Sequence, residues 1–121
     1  MKILESAENY METILVLKKQ NGYVRAVDIA NTLDFTKPSV SVAMKNLREN
    51  GYITIDGGNH IELTPKGLEI AERTYKRHIL ITKVLVSMGI DQEIASADAC
   101  KIEHIVSQET IDAMEKFLEK L

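Results

Sequence analysis

Three side chains that bind transition metals stand close together near the end of the chain, in the segment Cys100-Lys101-Ile102-Glu103-His104. An α-helix turns by about 100° per residue, so Cys100, Glu103 and His104 would share one face of a helix. A thiolate, a carboxylate and an imidazole on one face can converge on one divalent ion. The spacing therefore predicts a metal site. The alternative is a buried cysteine beside an exposed Glu-His pair.

Two other segments supply candidate ligands of the same kinds. His78 follows a basic run in a predicted long helix, and Asn9 and Glu12 lie about one turn apart in the first predicted helix. Each of these residues, taken alone, is more often an ordinary surface residue. They are therefore secondary candidates for the metal site.

The cluster also permits an enzymatic interpretation. Cys100 would be a nucleophile and His104 its base, because side chains four residues apart on a helix can touch. The sequence contains no Gly-rich phosphate loop and no HExxH pair, and nothing in it indicates an oxyanion pocket. We therefore expect that the protein is not an enzyme.

The elements that must position these side chains begin with three helices and a hairpin. Apolar periodicity predicts helices over residues 4–20 and 24–33. A third helix is predicted from Thr36, which can cap it, to Gly51, with Pro38 in its first turn. Residues 52–55 and 60–63 alternate between apolar and polar types around a four-residue turn, which predicts a hairpin. Together these elements predict a winged helix-turn-helix.

One face of the third predicted helix has the composition of a DNA-binding surface. If Val40, Met44 and Leu47 point into the core, the opposite face carries hydroxyl groups, small apolar groups and cations. Hydroxyls bond phosphates or base edges, cations neutralise phosphates, and an apolar group packs on a thymine methyl. The alternative is a solvated helix face in an all-α domain. The DNA-facing candidates are Lys37, Pro38, Ser39, Ser41, Val42, Lys45, Asn46 and Arg48.

Charge is distributed unevenly along the chain. The net charge of the 121 residues is -3, which by itself argues against nucleic acid as a partner. Between Lys18 and Gly51, however, six basic residues outnumber three acidic ones, whereas from Val84 onward eight acidic residues outnumber three basic ones. A basic first half and an acidic second half indicate two functions in one chain.

The second half of the chain is predicted to be helical. A threonine-proline cap opens a long helix at residue 64, and Gly89 closes it. Asp91 caps a further helix that extends to Val106, and Ser107 caps the last helix. The metal-binding segment is therefore expected in the middle of a helix.

These C-terminal helices carry more apolar surface than short elements can bury alone, which predicts a homodimer. We expect two domains, with a winged helix-turn-helix over residues 1–70 and metal-binding and dimerisation helices over residues 71–121. The predicted dimer contacts are Ile94, Ile102, Ile105, Ile111, Met114 and Leu118.

The composition argues against a membrane or secreted protein. The longest apolar run, residues 79–88, is interrupted by polar side chains and is far shorter than the roughly 18 residues that a membrane span needs. The N-terminal segment lacks the apolar core of a signal peptide, and a single cysteine fits a reducing compartment. We therefore expect a cytoplasmic protein that has neither a membrane nor a small organic substrate as its partner.

Four segments together resemble a known family: SAENYMETI at residues 6–14, KPSVS at 37–41, RH at 77–78 and DACKIEH at 98–104. In this order, and over essentially the whole chain, the sequence resembles the diphtheria toxin repressor and manganese transport regulator family in its two-domain form. The resemblance implies a mainly α fold, in which an N-terminal winged helix-turn-helix with a two-stranded wing precedes an all-helical dimerisation domain. It also implies a homodimeric repressor of iron or manganese homeostasis that binds double-stranded operator DNA when loaded with Fe(II) or Mn(II).

The resemblance also implies roles for individual positions. Asn9 stands where the iron branch has Met and the manganese branch has Asp. Thr82 and Ser96 replace the Glu and the His that complete a second metal site in the iron branch. The matched metal-ligand positions are Glu12, His78, Cys100, Glu103 and His104, and the matched DNA-facing positions are Thr36, Pro38, Ser39 and Val42.

The cysteine also bears on which metal is bound. Cys100 matches the iron branch, and a thiolate is a softer donor than Mn(II) favours. Fe(II) is therefore the first expectation and Mn(II) the second, while Zn(II), Co(II) and Ni(II) are expected to bind in vitro. The competing interpretation is a winged-helix regulator without metal dependence, in which Cys100 and His104 are structural.

Overall fold

The computed structural model describes residues 5–121, which form six helices and one two-stranded sheet. The chain divides into two compact units, one ending at Glu72 and the other comprising Arg73–Leu121. No helix among these residues combines the length and the hydropathy needed to cross a membrane. The elements are α1 (Glu5–Asn21), α2 (Ala26–Leu33), α3 (Lys37–Glu49), β1 (Ile53–Ile55), β2 (Ile61–Leu63), α4 (Pro65–Ser87), α5 (Gln92–Ile102) and α6 (Gln108–Glu119).

Helices α2 and α3, followed by the hairpin, confirm the predicted winged helix-turn-helix. The Thr36 hydroxyl oxygen caps α3 by accepting from the Ser39 amide at 3.3 Å, and Pro38 lies in the first turn. Residue 4, predicted to begin the first helix, lies outside the described residues. The most deeply buried side chains of this unit are Met11, Ile14, Val24, Ile29, Val40 and Ile53.

Helix α2 begins at Ala26, two residues later than predicted. The carbonyl oxygen of Val24 accepts a hydrogen bond from the Ile61 amide at 2.7 Å, so the chain before the helix is tied to the hairpin. The Asp28 carboxylate then accepts from the Arg25 amide at 2.9 Å, which satisfies a donor at the helix start. A contact with a distant strand therefore overrides the apolar periodicity at the start of this helix.

The hairpin, or wing, is antiparallel, with Thr54 opposite Glu62. Its turn is held by Asp56, whose Oδ1 accepts from the amides of Gly58 at 2.8 Å and His60 at 2.9 Å. The His60 amide hydrogen bond is the largest cause that lowers the pKa of Asp56 below its usual value, and the Gly58 amide and the nearby His60 ring lower it further. The ionised carboxylate therefore stabilises the wing turn.

A close backbone contact joins the wing to α4. The Thr64 hydroxyl donates to the Gly51 carbonyl oxygen at 2.7 Å and accepts from the Gly67 amide at 3.2 Å. Gly67 packs so tightly against the Tyr52 carbonyl oxygen that a Cβ at this position would collide with it. Glycine is therefore required at this position.

The second unit consists of the remainder of α4 together with α5 and α6. Gly89, with φ of 98°, ends the region of α4, as predicted. The predicted caps are also present, because Asp91 accepts from the Glu93 amide at 3.1 Å and Ser107 accepts from the Thr110 amide at 3.1 Å. The buried core of this unit is formed by Ile81, Ala99 and Ile111.

Two expectations for this unit are wrong. Helix α5 ends at Ile102 and not at Val106, because the chain tightens into a turn there, with the Ile105 amide donating to the Ile102 carbonyl oxygen at 3.0 Å. Ile111 was expected at a dimer interface but is 4% exposed and belongs to the core within one chain. Ile94 and Ile105, by contrast, are 57% and 75% exposed.

Candidate functional site

The turn that follows α5 carries two of the predicted ligands. The Glu103 amide still makes the i to i−4 hydrogen bond of the helix, to the Ala99 carbonyl oxygen at 2.9 Å, and His104 follows in the turn. Cys100 lies on α5 itself and is partly buried. The three residues were expected on one face of a continuous helix. Only Cys100 lies within α5, while Glu103 and His104 extend from the turn that ends it.

The Glu103 carboxylate lies within reach of two imidazoles. Its Oε2 is 2.9 Å from Nδ1 of His78 on α4, and its Oε1 is 3.4 Å from Nε2 of His104. Both the Glu103 and His104 side chains are almost completely withdrawn from solvent, and His78 is half-buried. A buried carboxylate in contact with two imidazole nitrogens is a donor set suited to a divalent transition metal.

Glu103 also provides a direct test of whether a cation fits. Among residues 5–121, no hydrogen-bond donor satisfies its buried Oε1. A buried carboxylate oxygen without a donor is costly, whereas a cation bound there would compensate its charge. The residues of this cluster therefore fit a bound metal ion.

Arg77 holds the turn that carries Glu103 and His104. Its Nη1 donates to the carbonyl oxygens of Glu103 at 3.2 Å and Val106 at 3.1 Å, and its Nη2 donates to Oε1 of Gln108 at 3.1 Å. Sequence reasoning included Arg77 only in the segment at residues 77–78 and missed these contacts, because its partners lie 26 to 31 residues away and no local pattern reveals them.

Thr82 and Ser96, which stand where the iron branch has ligands of a second metal site, make other contacts in this protein. The Thr82 hydroxyl donates to the His78 carbonyl oxygen at 2.7 Å, and Ser96 Oγ lies 3.2 Å from Nε2 of His78. Both residues line a cleft of about 440 Å³ together with Lys83 and Gln92. The described lining contains no carboxylate, so it does not fit a second cation.

The remaining predicted ligands lie on α1 in the first unit. Glu12 is buried, and Asn9 is partly buried, with its carbonyl oxygen accepting from the Thr13 hydroxyl at 2.9 Å. Their roles as ligands stay predictions from the sequence.

The predicted DNA-facing residues are all exposed on α3 and its cap, while Val40, Met44 and Leu47 are buried. Val42 is 61% exposed and offers an apolar contact on this face. The cations of this face make no ion pair within the described part of the chain. The exposed set is Thr36, Lys37, Pro38, Ser39, Ser41, Val42, Lys45 and Arg48.

The side chain of Arg25, just before α2, contacts His60 of the wing. Nη2 of Arg25 lies 3.3 Å from Nε2 of His60, and its guanidinium lies 5.9 Å from the centre of the Tyr23 ring. Sequence reasoning missed this cluster as well. The adjacent Asp-Gly-Gly-Asn turn indicated a hairpin but not the contact between Arg25 and His60, the residue that follows this turn.

Both units match domains of known proteins. Residues 2–61 match the N-terminal DNA-binding domain of the iron-dependent repressors, and residues 64–121 match their metal-binding and dimerisation domain. The transcriptional regulator MntR of Salmonella typhimurium is 35% identical over 116 residues, which cover 96% of this chain and 74% of that protein. An uncharacterised HTH-type transcriptional regulator of Methanocaldococcus jannaschii is 34% identical over 118 residues, which cover 96% of this chain and 94% of that protein.

Solved structures show the same architecture. IdeR of T. acidophilum aligns with a TM-score of 0.80 and 28% identity, over 97% of this chain and 55% of that one. The manganese regulator SloR aligns with a TM-score of 0.83 and 26% identity, over 98% of this chain and 55% of that one. This chain therefore spans about half the length of these two solved chains.

Proposed function

Because the chain belongs to the iron-dependent repressor family, we propose that it is a transcriptional regulator whose binding to operator DNA depends on a divalent metal ion. The family consists of DNA-binding regulators and not of enzymes. The observation that supports metal control most directly is the buried Glu103 carboxylate, which contacts His78 and His104. These residues lie in the part of the chain that matches the metal-binding and dimerisation domain.

DNA binding is assigned to the exposed face of α3. In a helix-turn-helix, the second helix lies in the major groove and its N-terminal residues reach base edges. In this proposal Ser39 and Val42, both exposed, read bases through a hydroxyl and an apolar contact, and the exposed Lys45 neutralises a phosphate. The short side chains of this face leave much of the affinity to phosphate contacts.

The metal is assigned to the cluster around Glu103. His78, Glu103 and His104 would hold it, with Cys100 as a thiolate donor and with Glu12 and Asn9 as the further ligands predicted from the sequence. When bound, the ion supplies positive charge that compensates the buried carboxylate. Arg77 keeps the turn in place through its contacts to the Glu103 and Val106 carbonyl oxygens.

The identity of the metal follows from the softness of its donors. One thiolate among imidazole and carboxylate donors favours Fe(II) over Mn(II), and binding by Zn(II), Co(II) or Ni(II) is expected in vitro because their intrinsic affinities are higher. We therefore propose Fe(II) as the activating ion and Mn(II) as the second choice. The supply of each metal in the cell decides between them.

The protein is proposed to act as a homodimer through its C-terminal helices. Ile94 and Ile105 are exposed, as are Phe117 and Leu121, which are 46% and 73% exposed. Such apolar surface favours a partner chain. A twofold dimer would address two half-sites about 34 Å apart, or a small multiple of that distance, so its operator is expected to be palindromic.

Selection from a pool of random DNA duplexes tests this function. The protein should retain a palindromic sequence when Fe(II) or Mn(II) is present under anaerobic conditions, and should retain no such sequence when a strong chelator replaces the metal. Recovery of the same sequence under both conditions would show a winged-helix regulator without metal dependence. Recovery of no sequence under either condition would contradict the proposed DNA-binding function.

A further inference from the structure

Ser96 contacts the ring nitrogen of His78 that does not contact Glu103. We propose that Ser96 is the positioning residue for His78, and that its hydroxyl serves as hydrogen-bond partner to both tautomers of the imidazole. This role presupposes the metal site of the proposed function and adds a residue that is not itself a ligand. Ser96 lies on α5, one turn before Cys100.

The two nitrogens of the His78 ring have different surroundings. Nδ1 lies 2.9 Å from Oε2 of Glu103, and Nε2 lies 3.2 Å from Oγ of Ser96. Nδ1 is therefore the donor atom available to an ion that His78 shares with Glu103. A histidine that binds a metal through one nitrogen needs a partner for the N–H on the other, which fixes the ring orientation and the tautomer.

A carboxylate only accepts hydrogen bonds, so the 2.9 Å contact with the Glu103 carboxylate favours a form of His78 whose Nδ1 carries a hydrogen. In the tautomer that has its single hydrogen on Nδ1, Nε2 is an acceptor, and the Ser96 hydroxyl 3.2 Å away is the group that donates to it. We assign this O–H···N bond to the metal-free protein.

With a metal on Nδ1, the direction of this bond would reverse. The neutral imidazole would then carry its single hydrogen on Nε2, and the Ser96 hydroxyl would rotate and accept from Nε2–H. A hydroxyl can both donate and accept, whereas a carboxylate would serve only the second state. This explains why a serine suits the position.

The neighbouring Thr82 provides a natural contrast. It lines the same cleft as Ser96, but its hydroxyl donates to the His78 backbone carbonyl oxygen at 2.7 Å rather than to the ring. Thr82→Val therefore alters the cleft without removing a partner of the imidazole. Ser96→Thr keeps the hydroxyl, and Ser96→Ala removes it at a helical position that favours alanine.

Nitrogen-15 NMR of the histidine side chains tests the tautomers. In the metal-free wild type, the hydrogen of His78 should be on Nδ1. After addition of Zn(II), which is diamagnetic, an Nε2–H proton should become visible in the wild type and in Ser96→Thr but should be lost to exchange with water in Ser96→Ala. A metal-free ring protonated at Nε2 or at both nitrogens would overturn the proposal, as would an Nε2–H signal that persists in Ser96→Ala.

Metal affinity gives a second, independent readout. Competition with a chelator should show that Ser96→Ala binds Zn(II) or Mn(II) at least about tenfold more weakly than the wild type, with Ser96→Thr and Thr82→Val close to wild type. Equal affinity of Ser96→Ala and the wild type would reject the role of Ser96. Absence of metal binding by the wild type would instead reject the proposed function.

Discussion

Nδ1 of His78 lies 2.9 Å from Oε2 of Glu103, although 25 residues separate them in the chain. The contact joins α4 to the turn after α5, and Glu103 is 1% exposed. An acidic side chain is seldom buried to this extent unless its charge is compensated. The contact therefore makes Glu103, at the centre of the candidate site, the first target for mutation.

Glu103→Gln should abolish the stabilisation of the protein by metal. The amide keeps the shape of the side chain but removes the charge that holds a cation. At a metal concentration of about 100 times its Kd, binding should stabilise the wild type by about 2.7 kcal/mol, which raises Tm by roughly 10 °C. Thermal unfolding followed by circular dichroism, with and without metal, measures this shift.

Glu93→Gln is the matched control, because it removes the same charge from an exposed position of α5. It should keep the full metal-dependent rise in Tm. An equal rise for Glu103→Gln and Glu93→Gln would show that the metal binds elsewhere.

Lys45→Ala and Ser39→Ala should weaken DNA binding in different ways. Loss of the Lys45 charge should reduce affinity for all sequences and lower the slope of log K against log salt by about 1. Loss of the Ser39 hydroxyl should instead change the preference at one or two base pairs. Lys116→Ala, a charge change on α6, is the control, and a salt slope lowered equally in both lysine variants would contradict the assignment to α3.

The elements themselves could be predicted from the sequence because their determinants are local. Thr36, Asp91 and Ser107 each cap the helix that follows within three residues, and each cap is confirmed. The contacts that Arg77 makes to the turn after α5 could not be predicted, because its partners are far along the chain. The same holds for the site, where the sequence indicated His78 and Glu103 as ligands of one metal but not their direct contact at 2.9 Å.

Gly67→Ala should destabilise the first unit. The added Cβ would collide with the Tyr52 carbonyl oxygen, so the wing and the start of α4 would have to move apart. We expect a loss of about 2 kcal/mol or more in the free energy of unfolding, measured by urea denaturation. Gly57→Ala, in the open wing turn, should change stability by less than about 0.5 kcal/mol, and equal losses in both variants would refute the close contact.

The wing turn should loosen in acid. The pKa of Asp56 is lowered mainly by the His60 amide. The stabilisation that the ionised carboxylate gives to the wing turn is therefore complete above the usual aspartate pKa of about 3.9, and it is lost as pH falls through the lower pKa of the folded protein. The protection factors of the Gly58 and His60 amides, which compare the observed exchange rate with the intrinsic rate at the same pH, should therefore fall below about pH 4. Asp56→Asn keeps an acceptor oxygen and should remove this pH dependence, whereas Asp56→Ala should show low protection factors at every pH. Unchanged exchange in Asp56→Ala would contradict the assigned hydrogen bonds.

Metal control of DNA binding is tested most directly by the affinity for one selected operator at fixed salt, measured by fluorescence anisotropy with Fe(II) under anaerobic conditions and with excess chelator. A metal that moves the DNA-competent population from about 1% to about 99% must favour that state by roughly 5.5 kcal/mol, and the apparent affinity for DNA then rises about 100-fold. We predict a rise of this size for the wild type and none for Glu103→Gln. An operator affinity that is the same with metal and with chelator would contradict metal control of this protein.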